Sequence, residues 1–248
     1  MAPETQLLMG MPITVEIVDD APHNVLERVF NYFAAVDERF SLYKETSEIT
    51  ALNKRRISYG EISLEMREVL ELAKQTKRES QGYFEIRRSN GELDPSGIVK
   101  GWAIRNAANL IRRSGAENFY VDAGGDIQSC GSNKEGDDWI IGICNPFNAD
   151  EFITRVAPQG RGVATSGTSA RGQHIYNPHR PSQPIHEIVS LTIIGPDVLE
   201  ADRFATAGFA MGKAGIFFIE QLDGFEGYVV EANGRATWTS GFGAFVSK

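Results

Sequence analysis

The amino-acid sequence predicts an α+β fold with mixed antiparallel sheets and packed helices, in one compact domain spanning residues 1–248. Amphipathic helical stretches dominate the first half of the chain. Short strand-like runs separated by glycine, proline and asparagine follow from Asn118 onward. Helices and strands do not alternate in a regular βαβ rhythm, which argues against a doubly wound Rossmann sheet. No low-complexity linker divides the chain.

The first half of the chain predicts one strand and three helices, each from its apolar spacing. In order, these are a strand over 13–18, a helix over 24–40, a loop over 41–47, a helix over 64–80, a turn over 94–101 and a helix that reaches residue 113. Ser63 is the expected N-cap of the second helix. Gly82 is expected to end that helix in the left-handed conformation.

The second half predicts a series of strands and two further helices. In order, these are strands over 119–121, 139–143, 152–156, 162–165 and 188–194, helices over 199–211 and 215–222, and a closing hairpin of 227–231 and 235–239. The Asn233-Gly234 pair is typical of a tight hairpin turn.

Composition narrows the classes of function. The net charge of −8 argues against a nucleic-acid-binding protein, which usually carries excess Lys and Arg. Cys130 and Cys144 lack metal-ligand spacing and are too few for a disulfide scaffold. No apolar run has the length of a membrane helix, and no signal peptide is visible at the N-terminus. We therefore expect a cytoplasmic protein without nucleic-acid or membrane partners.

The most informative segment is the predicted turn over residues 94–101, which contains Gly97, Lys100 and Gly101. Backbone N–H groups at a helix start, beside a lysine, suit a phosphate or pyrophosphate. The segment lacks the Gly-Lys-Ser/Thr pattern of a Walker A loop. Many strand-to-helix turns also need glycine for backbone reasons alone, so this segment by itself is only an indication.

Two glycine-containing loops follow predicted strands. In the first, Gly124-Gly125-Asp126, the glycine pair allows close approach to a ligand, although a β-turn with an Asx cap explains it equally well. In the second, small hydroxyl residues around Ser166 lead to His174. A histidine can remove the proton of an attacking hydroxyl, but a lone histidine is more often structural.

One predicted helix carries a possible cation site. Asp202 and Thr206 are four residues apart, so the carboxylate and the hydroxyl share a helix face. This oxygen chemistry suits Mg²⁺, which keeps waters and substrate phosphates as its other ligands. An aspartate near a helix start is more often a cap or a partner of the helix dipole. Tyr43 and Tyr83 are available to stack on a planar ring, although ordinary packing also explains them.

Taken in order, eight segments resemble the ApbE family, the FAD:protein FMN transferases. They cover residues 9–11, 40–53, 82–85, 94–101, 124–127, 165–167, 174–178 and 201–207. Each is short, but their shared order makes the resemblance specific. It implies an α+β fold related to the T-fold, with Mg²⁺ as cofactor and FAD as substrate. It also implies transfer of FMN to a Thr or Ser hydroxyl of an acceptor flavoprotein, through a phosphoester bond, with release of AMP.

The resemblance also implies residue roles. Asp202 and Thr206 would bind Mg²⁺ through their side chains and Gly97 through its carbonyl, and Asp202 would be catalytic together with the base His174. The FAD-binding residues would be Met9, Tyr43, Tyr83, Phe84, Glu85, Asp94, Lys100, Gly125, Ser166 and Ile175.

The chain departs from the family pattern in places. Leu199 stands where some members have a further acidic metal ligand, and the segment after Pro178 lacks the usual Thr-Gly. Two alternatives therefore stay open: an FAD pyrophosphatase that yields FMN and AMP, and an FAD-binding protein without turnover. Since no lipoprotein signal is visible, a cytoplasmic acceptor is the expected partner.

Overall fold

The structure is a computed structural model that describes residues 2–168 and 175–247. Its strands are β1 (Glu4–Leu8), β2 (Met11–Ile17), β3 (Phe119–Ala123), β4 (Asp126–Cys130), β5 (Ile141–Asn145), β6 (Asn148–Val156), β7 (Gly162–Gly167), β8 (Ile188–Gly195), β9 (Glu226–Glu231) and β10 (Ala236–Trp238). Its α-helices are α1 (Val25–Phe40), α2 (Glu48–Asn53), α3 (Leu64–Glu79), α4 (Ser96–Arg113), α5 (Val198–Ala210) and α6 (Gly215–Glu220).

Eight of the strands form one antiparallel sheet in the order β1-β2-β3-β4-β7-β8-β9-β10, and β5 and β6 form a separate hairpin. The β3–β4 connection is the tight turn Gly124-Gly125, whose φ angles of 60° and 93° are unfavourable for other residues. Because Ala123 pairs with Asp126 across this turn, Asp126 is the first residue of β4.

The main core lies between the large sheet and the helices. Trp102 of α4 and Phe33 of α1 are among its largest fully buried side chains. Helices α4 and α5 approach very closely, since a Cβ added at Gly101 would lie 2.7 Å from Asp202 Cβ and 2.9 Å from Leu199 Cα. A smaller cluster joins the β5–β6 hairpin to the sheet through Ile141, Ile143, Val156, Val163, Ile194 and Phe242.

The structure confirms the predicted α+β class and most predicted elements. Ser63 caps α3, with its Oγ accepting the Met66 N–H at 3.1 Å. The predicted turn over 94–101 is wrong beyond residue 95, because α4 already begins at Ser96 and includes Lys100. The short elements β1, α2 and β4 were not predicted.

The end of α3 also differs from the prediction. Gln81, with φ of 54°, takes the left-handed position directly after the cap, and Gly82, with φ of 87°, follows it. The Gly82 N–H donates to the Lys77 carbonyl at 2.7 Å, which closes the helix in a Schellman arrangement. Within the described ranges, no helix is both long and apolar enough to cross a membrane.

Candidate functional site

A cleft of about 1160 Å³ lies between α4, α5, the sheet and the β5–β6 hairpin. It brings together most residues that the sequence predicts for the site: Tyr83, Phe84, Glu85, Asp94, Gly97, Lys100, Gly125, Ser166, Ile175, Asp202 and Thr206. These residues come from distant parts of the chain, so the fold assembles them.

Three predicted site residues are not part of this cleft as described. Tyr43 is 98% exposed, and Met9 lies in the β1–β2 turn with φ of 53°. Neither lines the cleft, so their contact with FAD stays a prediction. His174 lies outside the described residues, and its role as the base stays a prediction too.

We call Gly97, Lys100, Asp126, Asp202 and Thr206 the cleft floor. The Lys100 Nζ lies 2.5 Å from Asp126 Oδ2 and 3.9 Å from Asp202 Oδ1. The Gly101 N–H donates to Asp202 Oδ2 at 2.8 Å, and the Thr165 N–H donates to Asp126 Oδ1 at 3.0 Å. Each carboxylate is therefore held by a backbone donor and faces the same lysine.

Asp126 is a floor residue that the predicted site set omitted. It is 1% exposed and its carboxylate is ion-paired with Lys100. The sequence signal was the Gly-Gly pair before it, which indicated a turn. That pair does not reveal that the next residue points at a lysine of α4, because the contact depends on how the helix packs on the sheet.

Burial shapes the electrostatics of the floor. It raises the pKa of the Asp202 carboxyl from 3.8 to about 7, with Lys100 opposing the shift and Asp126 adding to it. Burial also raises the pKa of Asp122, and the charge of Asp126 adds to the effect, whereas the Gly125 N–H opposes it. The floor therefore concentrates carboxyl groups around one lysine, and a bound cation would relieve their repulsion.

The donor atoms of the floor suit a hard cation. The start of α4 contacts Thr206 of α5, since a Cβ added at Gly97 would lie 3.2 Å from Thr206 Cγ2 and 3.5 Å from its Oγ1. In the described ranges, no three His, Cys, Asp or Glu side chains form a metal-binding group. Carboxylate, hydroxyl and carbonyl oxygens nevertheless fit Mg²⁺, which commonly takes few protein ligands and completes its shell with water and phosphate.

The rim of the cleft combines ion pairs with aromatic rings. Asp94 is paired with Arg88, and its Oδ1 accepts the Ser96 N–H at 3.0 Å, so it also stabilises the start of α4. The rings of Tyr83 and His179 meet edge to face at 4.6 Å between centroids. His179 was not predicted for the site. Aromatic edges of this kind suit planar ligands.

The opposite wall is the segment 139–156, which we call the hairpin wall. Trp139 packs edge to face on Tyr120 at 5.0 Å, and its Nε1–H donates to the Cys130 carbonyl at 3.0 Å. These contacts join the hairpin to β3 and β4. Ile140 and Phe152 line the cleft and are 48% and 56% exposed.

The fold and the cleft define the class, an α+β protein in which two helices, one large antiparallel sheet and a separate hairpin surround a large cleft. A family model described as the ApbE family matches residues 9–90 and 86–229, and the chain belongs to this family. Among solved structures, the flavin transferase ApbE from Vibrio cholerae has a TM-score of 0.86 at 19% identity and covers 98% of each chain. The ApbE protein from Thermotoga maritima has a TM-score of 0.86 at 20% identity, covering 99% of each.

Relatives with the name "FAD:protein FMN transferase" match part of the chain. One from Klebsiella pneumoniae (strain 342) is 30% identical over 160 residues, which are 60% of this chain and 45% of the relative. One from Escherichia coli (strain K12) is 28% identical over 159 residues, with the same coverage of 60% and 45%. The chain thus spans about half the length of the curated relatives it matches.

Proposed function

We propose that this protein is an FAD:protein FMN transferase that requires Mg²⁺ and modifies a Thr or Ser hydroxyl of an acceptor flavoprotein. The observation that carries the proposal is the cleft floor, where Lys100, Asp126, Asp202 and Thr206 meet the start of α4 beneath a large cleft. Phosphoryl transfer requires mainly positioning and charge neutralisation, and the floor offers both. Family membership and the names of the relatives support the same function.

The floor residues also define how the metal would be held. The side chains of Asp202 and Thr206, with the Gly97 carbonyl, would bind Mg²⁺. When bound, Mg²⁺ supplies positive charge against the pyrophosphate oxygens. Asp126 keeps the Lys100 ammonium over the floor at 2.5 Å, where that ammonium adds a second positive charge next to the substrate phosphates.

The proposed transfer balances as a single displacement at phosphorus. The acceptor Oγ forms a bond to the phosphorus of the FMN half of FAD, and the bond from that phosphorus to the bridging oxygen breaks. AMP leaves with the bridging oxygen. The hydroxyl proton passes to His174, which we propose as the base on the grounds of its family position.

The size of the cleft is consistent with two substrates. Sites for small molecules usually enclose roughly 300–1,000 Å³, and this cleft of about 1160 Å³ is larger. A transferase has to accommodate an acceptor segment next to the dinucleotide, and a cleft of this size is compatible with both. An FAD pyrophosphatase, with water in place of the hydroxyl, would need only the dinucleotide.

The deciding experiment is incubation with FAD and MgCl₂, with and without a pool of threonine-containing peptides, followed by mass spectrometry. Peptides that gain one FMN phosphoester, with AMP released, would support the transferase. FMN and AMP with unmodified peptides would indicate a pyrophosphatase, and intact FAD bound to the protein would indicate a binding role without turnover.

A His174→Ala variant tests the proposed base. We expect transfer to slow about 100-fold or more, while the Kd for FAD, measured by fluorescence titration, changes much less. His186→Ala is the matched control, because this exposed histidine does not line the cleft. Equal transfer rates in wild type and His174→Ala would assign His174 a structural role.

A further inference from the structure

Among the described residues, one edge of β5 has no backbone partner. β5 pairs with β6 on one side, and the described part of the chain makes no backbone hydrogen bond to its other side. The outer edge of β6, in contrast, is covered by the C-terminal segment: the Ala157 N–H donates to the Phe245 carbonyl at 2.8 Å, and the Ser247 N–H donates to the Arg155 carbonyl at 2.9 Å.

The free edge of β5 carries no lysine or proline, and its pairing with β6 is regular over Ile141–Ile143 and irregular from Ile143 to Asn145. Native edge strands are commonly blocked by lysine, proline or a covering loop. Residues 141–145 contain neither lysine nor proline. Residues of this strand and the residue before it also form part of the cleft wall, since Ile140, Ile141, Gly142 and Cys144 line the cleft. The regular part of β5, Ile141–Ile143, is therefore the part of the edge that is open to a further strand.

The side chains next to this edge are apolar and accessible. The Phe152 ring lies over Gly142, where an added Cβ would be 2.4 Å from the ring. Ile140 is exposed beside it, and the Arg155 guanidinium lies 6.0 Å from the centre of the Phe152 ring. The hairpin wall thus offers an apolar surface next to a row of unpaired N–H and C=O groups.

We propose that the acceptor polypeptide binds as an added β-strand on the free edge of β5 and so presents its Thr or Ser hydroxyl to the cleft floor. The proposal rests on the proposed transferase function. A row of alternating backbone donors and acceptors is matched by another extended backbone, and this mode of recognition is common for peptides. Residues of β5 line the same cleft as Gly97, Lys100, Asp202 and Thr206, so a segment bound at β5 would share one cavity with the floor.

This mode of binding defines the chemistry of the acceptor. The segment is extended and lacks proline at the paired positions. Its side chains alternate, so those on one face meet Ile140 and Phe152 while the next ones point away. Backbone pairing supplies affinity that is independent of sequence, and the alternate side chains supply the selectivity.

The first test leaves the protein unchanged and alters the peptide backbone. A library of nine-residue peptides with a central threonine is screened with FAD and MgCl₂ for FMN attachment. The best substrate is then N-methylated at one amide at a time. We expect kcat/KM to fall roughly threefold to tenfold at alternate amides and little at those between, since only every second N–H faces a partner strand.

The outcomes separate this proposal from the proposed function. If N-methylation does not change kcat/KM, or lowers it equally at every amide, while the unmodified peptide is still flavinylated, the added strand is wrong and the proposed transferase function is unaffected. Cleavage of FAD without labelling of any peptide would overturn both and favour the pyrophosphatase. If β5 also pairs with a second copy of the chain, light scattering would show a dimer. Dissociation of this dimer by the peptide would support the proposal. A dimer that the peptide does not affect would count against it.

A variant pair gives an independent test. Ile140→Lys places a charge on the hairpin wall, and Leu7→Lys makes the same kind of change at the 77% exposed Leu7 of edge strand β1. We expect Ile140→Lys to raise the KM for the peptide at least tenfold and the KM for FAD by less. Leu7→Lys is expected to behave as wild type. Equal KM values for the peptide in both variants would contradict the proposal.

Hydrogen exchange measures the pairing directly. We expect the peptide, added to the FAD-bound protein, to slow exchange of alternate β5 amides by at least tenfold, whereas FAD alone does not. The amides of edge strand β10 serve as the internal reference. Unchanged exchange in β5 under saturating peptide would rule out strand addition.

Discussion

The cleft floor is held by contacts between residues far apart in the chain, whereas the main backbone pairing of the hairpin wall is between its own neighbouring strands β5 and β6. Gly101 and Asp202, 101 residues apart, are joined by a hydrogen bond in a fully packed helix crossing. In the wall, β5 and β6 pair with each other, and a small apolar cluster joins the inner face of this hairpin to the sheet. The floor is buried and charged, while the wall is apolar and partly exposed.

This contrast separates two tasks. The proposed chemistry at phosphorus requires donors held in one geometry, and the packing at the floor is tight enough for this, since it leaves no space for an additional methyl group at Gly101. Selection of a polypeptide requires a surface that tolerates different side chains, and the wall offers an exposed edge. Substitutions in the floor should therefore affect turnover and folding together, whereas substitutions in the wall should affect substrate selection.

The largest expected effect is on turnover at the floor. Asp202→Asn keeps the volume of the side chain and an oxygen for the Gly101 N–H, but removes the carboxylate. We expect kcat/KM for Mg²⁺-dependent FAD cleavage to fall about a thousandfold or more, since metal binding and charge neutralisation contribute several kcal/mol. The rate is measured by AMP release over a range of MgCl₂ concentrations. Undiminished activity would refute the role of Asp202 as a metal ligand.

A second floor substitution tests the packing. Gly101→Ala should lower the free energy of unfolding by about 3 kcal/mol, because the new methyl group meets Asp202 Cβ at 2.7 Å and backbone atoms of Val198 and Leu199 at 2.9 Å. Urea denaturation checks this. Gly60→Ala is the matched control: its nearest neighbour is Ser58 Oγ at 3.7 Å, so the change should be within about 1 kcal/mol. Equal stability of both variants would contradict the tight helix crossing.

The third effect is a gain in stability that accompanies the loss of turnover. The pKa of Asp202 is raised in the folded state above its ordinary value of 3.8, so the unfolded chain releases the proton first. The carboxyl therefore costs stability increasingly as pH rises from about 4 toward 7. Asp202→Asn should be more stable than wild type by about 1–2 kcal/mol at pH 8, without metal.

The pH dependence makes this stability effect specific. The difference between Asp202→Asn and wild type should shrink as pH approaches 4, where the carboxyl is protonated in the folded state. Urea denaturation in EDTA at pH 4.5, 6 and 8 measures it. A constant difference across this range would show that the charge of Asp202 is not its source.

The smallest effect is expected at the base of the hairpin wall. Trp139→Ala removes the ring contact with Tyr120 and the hydrogen bond to the Cys130 carbonyl. Amide exchange in β5 and β6 should accelerate by about tenfold, with a change of about 1 kcal/mol in global stability. Trp238→Ala is the matched control, because it removes the Trp238 ring of β10 from its stacked contact with Tyr228 of β9. Equal exchange in the hairpin for both variants would place its anchor elsewhere.

Much of the fold was predictable because its signals are local. Apolar spacing indicated α1 and α3, and the Asn233-Gly234 pair indicated the β9–β10 hairpin that the structure confirms. The start of α4 was missed because a turn and a first helical turn share the same residues, Gly97 among them. Short elements such as α2 carry too few residues for a periodic signal.

The site was predictable only in part, because sequence signals are local and contacts between distant residues leave no such signal. The spacing of four residues places Asp202 and Thr206 on one helix face, and the resemblance to the family gave this pair its expected role in metal binding. Nothing in the spacing of Lys100 and Asp126 indicates that they form an ion pair. Similarly, the apolar residues over 139–143 indicated a strand, but not that its free edge would lie in the cleft.

The sequence alone therefore determined most of the elements, the balance of charge and the residues with suitable chemistry. The tertiary structure decided which of these residues meet. It brought the Asp202 carboxylate to the Gly101 N–H and beside Lys100, and it separated Tyr43 from the cleft. The physical reason is that periodicity and turn chemistry act over a few residues, whereas burial of a charge and access to a strand edge depend on packing between distant segments.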